Sequence, residues 1–256
     1  MFRQVAIALV FAASARGLRA QASFEVAVIK QADPEFRGRT ILMQGAHRFT
    51  AQNHTLKTLI AAAYNLTPRM ISGGPGWADS EHYDITAEAI AGSKPDRDAQ
   101  MAMLRNLLTE RFQLTFHRES RELPIYELTV AKSGPLLKES VSPPADGLHI
   151  VLYPGRASLP ALNTTMGELA GVLQRAALDR PVADRTGLSG RYDFDLNWEP
   201  DESQFGGALP SAAPGDASGL PDLFTAIQQQ LGLKLEAVRG RIEAFVIDHA
   251  ERPSAN

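Results

Sequence analysis

Two kinds of hydrophobic spacing alternate along this chain, one with the period of an α-helix and one with the period of a β-strand. The helical period is clearest where apolar side chains recur three and four positions apart: Leu56, Leu59, Ile60, Ala63 and Tyr64. Strict alternation follows from Leu114 to His117, which is typical of a strand with one face in solvent. This mixture predicts an α+β fold, with helices packed on mainly antiparallel sheets.

The same order of elements occurs twice along the chain. Four short segments of the first half have counterparts in the second half, in the same order: 40–45 and 150–155, 53–56 and 163–166, 83–85 and 192–194, and 112–116 and 231–235. The spacing between counterparts changes only where loops are expected, so we interpret the pattern as a tandem duplication of one β(β)α-β-αββ unit. The alternative is two unrelated segments that share generic patterning.

The predicted units comprise residues 23–138 and 149–250, with a linker at 139–148 and a tail at 251–256. Each unit is expected to close with a hairpin, formed by 114–117 with 125–130 in the first unit and by 233–237 with 242–247 in the second. Residues 201–220 are rich in Gly, Ala, Ser and Pro, which predicts a flexible insertion, and the tail is expected to fray.

Residues that start and stop helices support these boundaries. Thr165 followed by Glu168 predicts a capping box, because each side chain can bond the other residue's backbone amide. Thr55 is the corresponding cap in the first unit, without the acid. Asp222 and Gly232 predict the first and last turns of the final helix.

The N-terminus has a different pattern. Arg3 precedes a short apolar run at 5–14, and Ala20 and Ala22 place small residues where a signal peptidase cleaves. Residues 1–22 are therefore predicted to be a signal peptide, and the mature protein to be exported to the periplasm or the extracellular space. The run is shorter than the roughly 20 residues of a spanning helix, but a retained N-terminal anchor is the alternative. No membrane span is expected after cleavage.

Charge and composition exclude some partners. The three arginines of the N-terminal segment leave 23 basic and 29 acidic side chains in the mature part, a net charge of −6. No basic block is present, so neither nucleic acid nor an anionic membrane is an expected partner. The chain has no cysteine, and a core of this size needs no disulfide bond.

Several motifs resemble those of one family. They are FEVAVI at 24–29, ISGGPGW at 71–77, YDITA at 83–87, LRNLL at 104–108, RPV at 180–182, DRTGL at 184–188, GRYDF at 190–194, QLGLKL at 230–235 and VID at 246–248. Together they resemble the soil-associated exported proteins of acidobacterial-type genomes, a domain of unknown function. The resemblance covers nearly the whole mature chain. It implies no known activity and no catalytic residue, and related domains fused behind membrane-anchored sensor peptidases suggest binding or sensing outside the membrane.

The sequence predicts no catalytic, cofactor-binding or metal-binding residues, and no cofactor. The six histidines lack metal-ligand spacing, and no serine lies in a nucleophile elbow. The residues we select as candidates for ligand binding are two aromatic–acid pairs and one tryptophan: Trp77, Tyr83, Asp84, Tyr192 and Asp193. The recurring aspartates also have a structural interpretation, in which each side chain bonds a turn amide.

These observations favour a non-catalytic binding or sensing module of the cell envelope. Its partner would be an envelope protein, a peptide or a glycan, held in a groove between the two units. One alternative is an exported hydrolase of unfamiliar type that uses Asp84, Asp193 or the pair His47 and His54. Another is an extracytoplasmic partner of a membrane sensor peptidase.

Overall fold

A computed structural model describes residues 23–36, 38–44, 47–143, 148–207 and 219–253. The predicted signal peptide, residues 144–147 of the linker, residues 208–218 of the insertion and the last three residues lie outside the described residues. Among the described helices, none combines the length and the apolar character needed to cross a membrane.

The elements of the first half are β1 (Val26–Gln31), β2 (Thr40–Gln44), β3 (Arg48–Thr55), α1 (Leu56–Tyr64), β4 (Ile71–Gly73), α2 (Trp77–Ser80), β5 (His82–Glu88), α3 (Arg97–Arg111) and β6 (Thr115–Val130). Those of the second half are β7 (Lys138–Glu139), β8 (Val151–Tyr153), β9 (Arg156–Thr164), α4 (Met166–Val172), β10 (Val182–Asp184), β11 (Tyr192–Trp198), α5 (Leu223–Leu231) and β12 (Leu233–His249). A π-helical turn, Leu173–Ala177, extends α4. The predicted α+β class is confirmed.

Two outer sheets have the same organisation. The first has the strand order β1-β5-β3-β2 and the second has the order β7-β11-β9-β8. All neighbours in both sheets are antiparallel. We call these sheets, with their helices, the first and second outer units. Their likeness supports the internal repeat, while the duplication itself stays a prediction.

A third sheet joins the outer units, with the order β10-β6-β12-β4. Strands β6 and β12 pair antiparallel along nearly their whole length. The two predicted hairpins are therefore wrong, because each is one continuous strand. Charged residues such as Arg118 and Glu122 lie in the middle of β6, in a stretch that is mostly exposed to solvent. Ion pairs link the strands there, Arg118 to Glu243 at 3.3 Å and Arg239 to Glu122 at 3.1 Å.

Each outer unit has its own hydrophobic core, and each core is completed by strands from both halves of the chain. The helix α1 buries the face predicted from its spacing, with Leu56 and Leu59 fully inaccessible. Phe245 and Ile247 of β12 enter the core of the first unit, and Leu128 of β6 enters that of the second. The two halves therefore fold as one interlocked body.

Part of the predicted insertion packs on the second unit. Trp198, which is fully buried, donates an indole hydrogen bond to Gln204 at 2.9 Å, and Phe205 stacks on its ring. The start of the tail is also fixed. The amide of Glu251 donates to the carbonyl oxygen of Phe112 at 2.7 Å, and Arg252 forms an ion pair with Glu81.

Candidate functional site

The two recurring aspartates hold equivalent irregularities in the outer sheets. Strands β3 and β9 each shift register at an asparagine with a left-handed backbone, Asn53 (φ 59°) and Asn163 (φ 51°). Asp84 Oδ1 accepts a hydrogen bond from the amide of Asn53 at 3.0 Å, and Asp193 Oδ1 accepts one from the amide of Asn163 at 2.8 Å. Asparagine tolerates this conformation better than most residues. The contacts agree with the structural interpretation of both aspartates.

Asp193 has a second set of partners in the segment after β7. The hydroxyl of Ser142 donates to Asp193 Oδ2 at 3.1 Å. Hydrogen bonds from Ser140 and from the Asn163 amide hold the pKa of this carboxyl below its usual range. In the first unit, Asp84 instead faces Lys30, with 3.7 Å between Nζ and Oδ2. Both carboxylates are engaged in holding backbone.

Trp77 and Tyr83 belong to a cluster that the C-terminal segment completes. Their rings meet edge to face, with centroids 6.4 Å apart. Arg252 lies over the Trp77 ring and binds both oxygens of Glu81, the shortest distance being 2.6 Å. The Tyr83 hydroxyl donates to the same carboxylate at 2.9 Å. Trp77, Tyr83, Glu81 and Arg252 are called the tryptophan cluster below.

The contacts within the tryptophan cluster set the protonation states of Glu81 and Tyr83. The hydrogen bond from Arg252 lowers the pKa of Glu81, so this carboxylate stays an acceptor well into acid solution. Burial, together with the bond to Glu81, raises the pKa of Tyr83 to about 12, so its hydroxyl stays a donor. Among these groups we find no general base near neutrality.

The glycine-rich turn before Trp77 has a steric explanation. Gly73 and Gly74 have φ values of 73° and 77°. A Cβ at Gly73 would lie 2.7 Å from the carbonyl oxygen of Ile247, so only glycine allows β4 to approach β12 here. The turn positions α2, whose first residue is Trp77.

An open pocket of about 570 Å³ lies beside the tryptophan cluster. It is lined by Gln31, Ala32, Asp33, Pro34, Phe36, Gly38, Asn53, Ser80, Glu81 and His82. Three of the residues predicted to bind a ligand contact the pocket wall from behind. Asp84 bonds the amide of Asn53, and Tyr83 bonds the carboxylate of Glu81. Trp77 packs on Arg252, which binds Glu81. Sequence reasoning missed Asp33, Phe36, Glu81 and Arg252. The last two are 171 positions apart, and their pairing left no local pattern.

Comparison with known families assigns the chain to one of them. Residues 57–250 match the model of a protein of unknown function, DUF3738. The chain belongs to the DUF3738 family. No curated protein and no solved structure matches it. The matched range includes Trp77, Glu81 and both recurring aspartates, while six of the pocket-lining residues, from Gln31 to Gly38, lie before it. The soil-bacterial origin suggested by the sequence motifs stays a prediction.

The five predicted ligand residues of this DUF3738 chain do not meet in one place. Trp77, Tyr83 and Asp84 belong to the first outer unit, whereas Tyr192 and Asp193 lie on β11 of the second. Tyr192 is buried and its ring packs against Gly190. A second pocket, of about 230 Å³, lies between the start of β1 and α3. Neither pocket is lined by residues of both units, so the expected groove between the units stays a prediction.

The residues proposed for a hydrolase are also dispersed. His54 is 5% exposed, and its ring nitrogens lie 3.2 Å from the Thr58 hydroxyl and 3.2 Å from the Thr40 carbonyl oxygen. Burial, followed by the charge of Arg39, lowers its pKa to about 4. His47 lies on the surface before β3. Within the described ranges, no three His, Asp or Glu side chains are grouped so that they could hold a metal ion.

Proposed function

We propose that this protein is an exported, non-catalytic binding module of the cell envelope, and that its pocket beside the tryptophan cluster holds an oligosaccharide. The observation that carries the proposal is the combination of one exposed aromatic ring with several fixed polar groups in a pocket of about 570 Å³. Pockets of roughly 300–1,000 Å³ with an apolar surface and a few oriented polar groups are typical of small-ligand sites.

The lining matches the chemistry of a neutral sugar. Phe36 is 41% exposed and offers a flat apolar surface for the C–H face of a pyranose ring. Asp33 and Glu81 provide acceptors and Gln31 provides an amide group. The amide nitrogen of Asn53 holds the pocket wall, since it donates to the carbonyl oxygens of Phe36 and Gly38. Sugar hydroxyls both donate and accept, so they can satisfy such a mixed lining. The ion pair with Arg252 keeps Glu81 charged and in place.

The arrangement does not favour a hydrolase. Asp84 and Asp193 lie in different outer sheets and each binds a backbone amide. His54, which follows the bulge residue Asn53 in β3, is buried against Thr58 and Thr40. Two carboxylates that act on one glycosidic bond must flank that bond within one cleft, roughly 5–9.5 Å apart. For this reason binding is proposed rather than hydrolysis.

Binding is tested by saturation-transfer NMR on the mature protein, with cellotetraose, xylotetraose and chitotetraose as probes. We expect at least one probe to bind, and Phe36→Ala to weaken that binding by roughly tenfold, which corresponds to about 1.4 kcal/mol. The matched control is Tyr153→Ala, which removes a similarly exposed ring (43%) from the second outer unit. Equal binding by both variants, or binding of no probe by the native protein, would contradict the proposal.

Export is tested separately, since it depends on the N-terminal pattern alone. The protein is expressed with its own N-terminus in a bacterial host and recovered from the periplasm or medium. N-terminal sequencing is expected to begin at Ser23. Recovery of the uncleaved chain in the membrane fraction would instead support the retained anchor.

A further inference from the structure

The first outer sheet has one buried side and one side in solvent, because successive residues of a strand point to opposite sides. Ile29, Phe49 and Ile85 lie on the buried side and belong to the core of the first unit. Strand pairing arranges the residues of the solvent side in rows across the sheet. The middle row runs through β1, β5, β3 and β2 and consists of Val28, Thr86, Thr50 and Leu42.

A charged row flanks the middle row on each side. One contains Val26 and the directly opposed pair Glu88 and Arg48. The other begins with Lys30 and Asp84, which are also opposite each other. The residues of these rows, together with the middle row, are called the outer face below. The outer face shares no residue with the lining of the pocket beside the tryptophan cluster.

The outer face combines exposed apolar surface with charges of both signs. Val26, Val28 and Leu42 are 57%, 47% and 44% exposed. Single exposed apolar side chains are ordinary on a protein surface, but these lie on one side of one sheet, and the middle row contains no charge. Glu88 and Arg48, in the row beside it, are both exposed. An apolar middle with paired charges beside it is suited to an interface.

The charges make the outer face complementary to a second copy of itself. Two such faces can be stacked about a twofold axis that runs parallel to the strands and passes between β5 and β3. Strand β5 of each copy then lies over β3 of the other. Glu88 meets the partner's Arg48, and the same contact occurs a second time by symmetry. In the middle row, Val28 meets the partner's Leu42, again twice.

The charges also disfavour the other simple way of stacking the two faces. An axis at right angles to the strands would place each strand over its own copy and exchange the two charged rows. Glu88 would then lie over the partner's Asp84, and Val26 over the partner's Lys30. Like charges that face each other across an interface are costly, so the axis parallel to the strands is favoured.

The second outer sheet does not repeat the outer face. Asp195 and Pro160 occupy the positions that correspond to Thr86 and Thr50. Strand β7 has only the residues Lys138–Glu139, and it supplies no counterpart of Val28 beside Asp195. Only the first unit therefore offers this surface, and association through it closes after two copies.

We propose that the outer face is the interface of a homodimer, in which two copies stack their first outer sheets about an axis parallel to the strands. Stacked sheets are rotated by about 30° because each is twisted. The contacts between Glu88 and Arg48 lie in the middle strands, nearest the axis, where this rotation displaces them least. From strand spacing and rise, the face measures roughly 20 Å by 20 Å. An interface of this size predicts a weak dimer, with a dissociation constant on the order of 10–100 μM.

The test is sedimentation velocity on the chain that begins at Ser23, at concentrations from roughly 10 μM to 1 mM. We expect a monomer–dimer equilibrium in the native protein. Arg48→Glu and Glu88→Arg each place like charges at both contacts, and should weaken the dimer roughly tenfold or more. The matched control Arg156→Glu makes the same charge change at an exposed arginine of the second outer sheet, and should dimerise as the native protein does.

Mixing the two single variants provides the sharper measurement. In a heterodimer of Arg48→Glu with Glu88→Arg, both contacts again join opposite charges, so the mixture should associate although neither variant does so alone. Each variant also places like charges opposite each other within one sheet, which lowers its own stability. Association on mixing cannot arise from that effect.

Circular dichroism establishes that both variants are folded. Should either fail to fold, Val28→Asn serves instead, since it keeps all charges and removes the apolar contact of the middle row from both sides of the axis. It should weaken the dimer as well. A native protein that is monomeric at every concentration, equal dimerisation by the native protein and the interface variants, or no association on mixing overturns the proposal.

Discussion

The first and second outer units repeat the same strand order, and both bend a strand at an asparagine held by an aspartate. They differ in the side chains that fill the adjoining space. His54, beside the first bulge, corresponds to Thr164 beside the second, and both are buried. Ala89, at the end of β5, corresponds to Trp198 at the end of β11. The aspartate–asparagine contact that holds the backbone is repeated in both units. The size and chemical type of the buried side chains around it differ between them.

The largest difference between the units is expected at Trp198. Trp198→Ala removes a fully buried indole and its bond to Gln204, and should lower the free energy of unfolding by about 3–5 kcal/mol. Urea denaturation provides the measurement. Phe224→Ala, which truncates a ring that is 37% exposed, should cost much less. A loss at Trp198 no larger than at Phe224 would show that the second core does not depend on this ring.

A pH-dependent difference is expected at His54. Its folded pKa of about 4 lies below the ordinary value of 6.5, so between these values the unfolded chain binds a proton that the folded protein does not. Stability should therefore fall as the pH drops from 6.5 to about 4, by roughly 3 kcal/mol in total.

The substitution His54→Thr installs the residue found at the corresponding position of the second unit. It should remove this part of the pH dependence, seen as the difference between the unfolding free energies of the two proteins from pH 4 to pH 7. Parallel curves for native protein and His54→Thr would contradict the assignment.

The shared aspartates should respond alike in the two units. Asp84→Ala leaves the amide of Asn53 without its acceptor and should cost about 1–3 kcal/mol, while Asp84→Asn keeps an acceptor oxygen and should cost less. The same ranking is expected at Asp193.

Because the folded pKa of Asp193 is lowered, the stability that this carboxylate contributes is present above pH 3.8 and is lost as the pH falls through the folded value. Asp193→Asn should remove that acid dependence, and a reversed ranking at either site would break the equivalence.

The smallest difference concerns the helix starts. In the second unit Glu168 accepts a hydrogen bond from the amide of Thr165 at 2.7 Å, whereas Thr55 in the first unit has no acid three residues later. Glu168→Ala should therefore make the second helix start like the first, at a cost of about 0.5–1 kcal/mol. Glu168→Gln, which can still accept, should cost less. Denaturation midpoints of the two variants would show whether the reciprocal bond matters.

Local features of the fold followed from the sequence. The capping box of Thr165 and Glu168 is confirmed, as are Asp222 and Gly232 at the ends of α5. The buried face of α1 also agrees with the spacing of its apolar residues. Each of these depends on residues no more than a few positions apart, and for this reason a single sequence predicts them.

The candidate site was predictable only in part. Trp77 and Tyr83 stood out by type and position, but their partners Glu81 and Arg252 join distant parts of the chain. The pocket also needs Phe36 and Asp33, which belong to a loop with no periodic pattern. Nothing in the local sequence relates such a loop to residues 80–82.

Caps and helix faces were thus contained in the amino-acid order, because they depend on contacts within a turn or two of chain. The pairing of β6 with β12 was decided by the tertiary structure alone. Its middle is charged and resembles a turn, and only the two cores at its ends, which bury Phe245 and Leu128, make one long strand more favourable than a hairpin. The free energy that selects this arrangement comes from apolar contacts between residues more than a hundred positions apart, which no local pattern records.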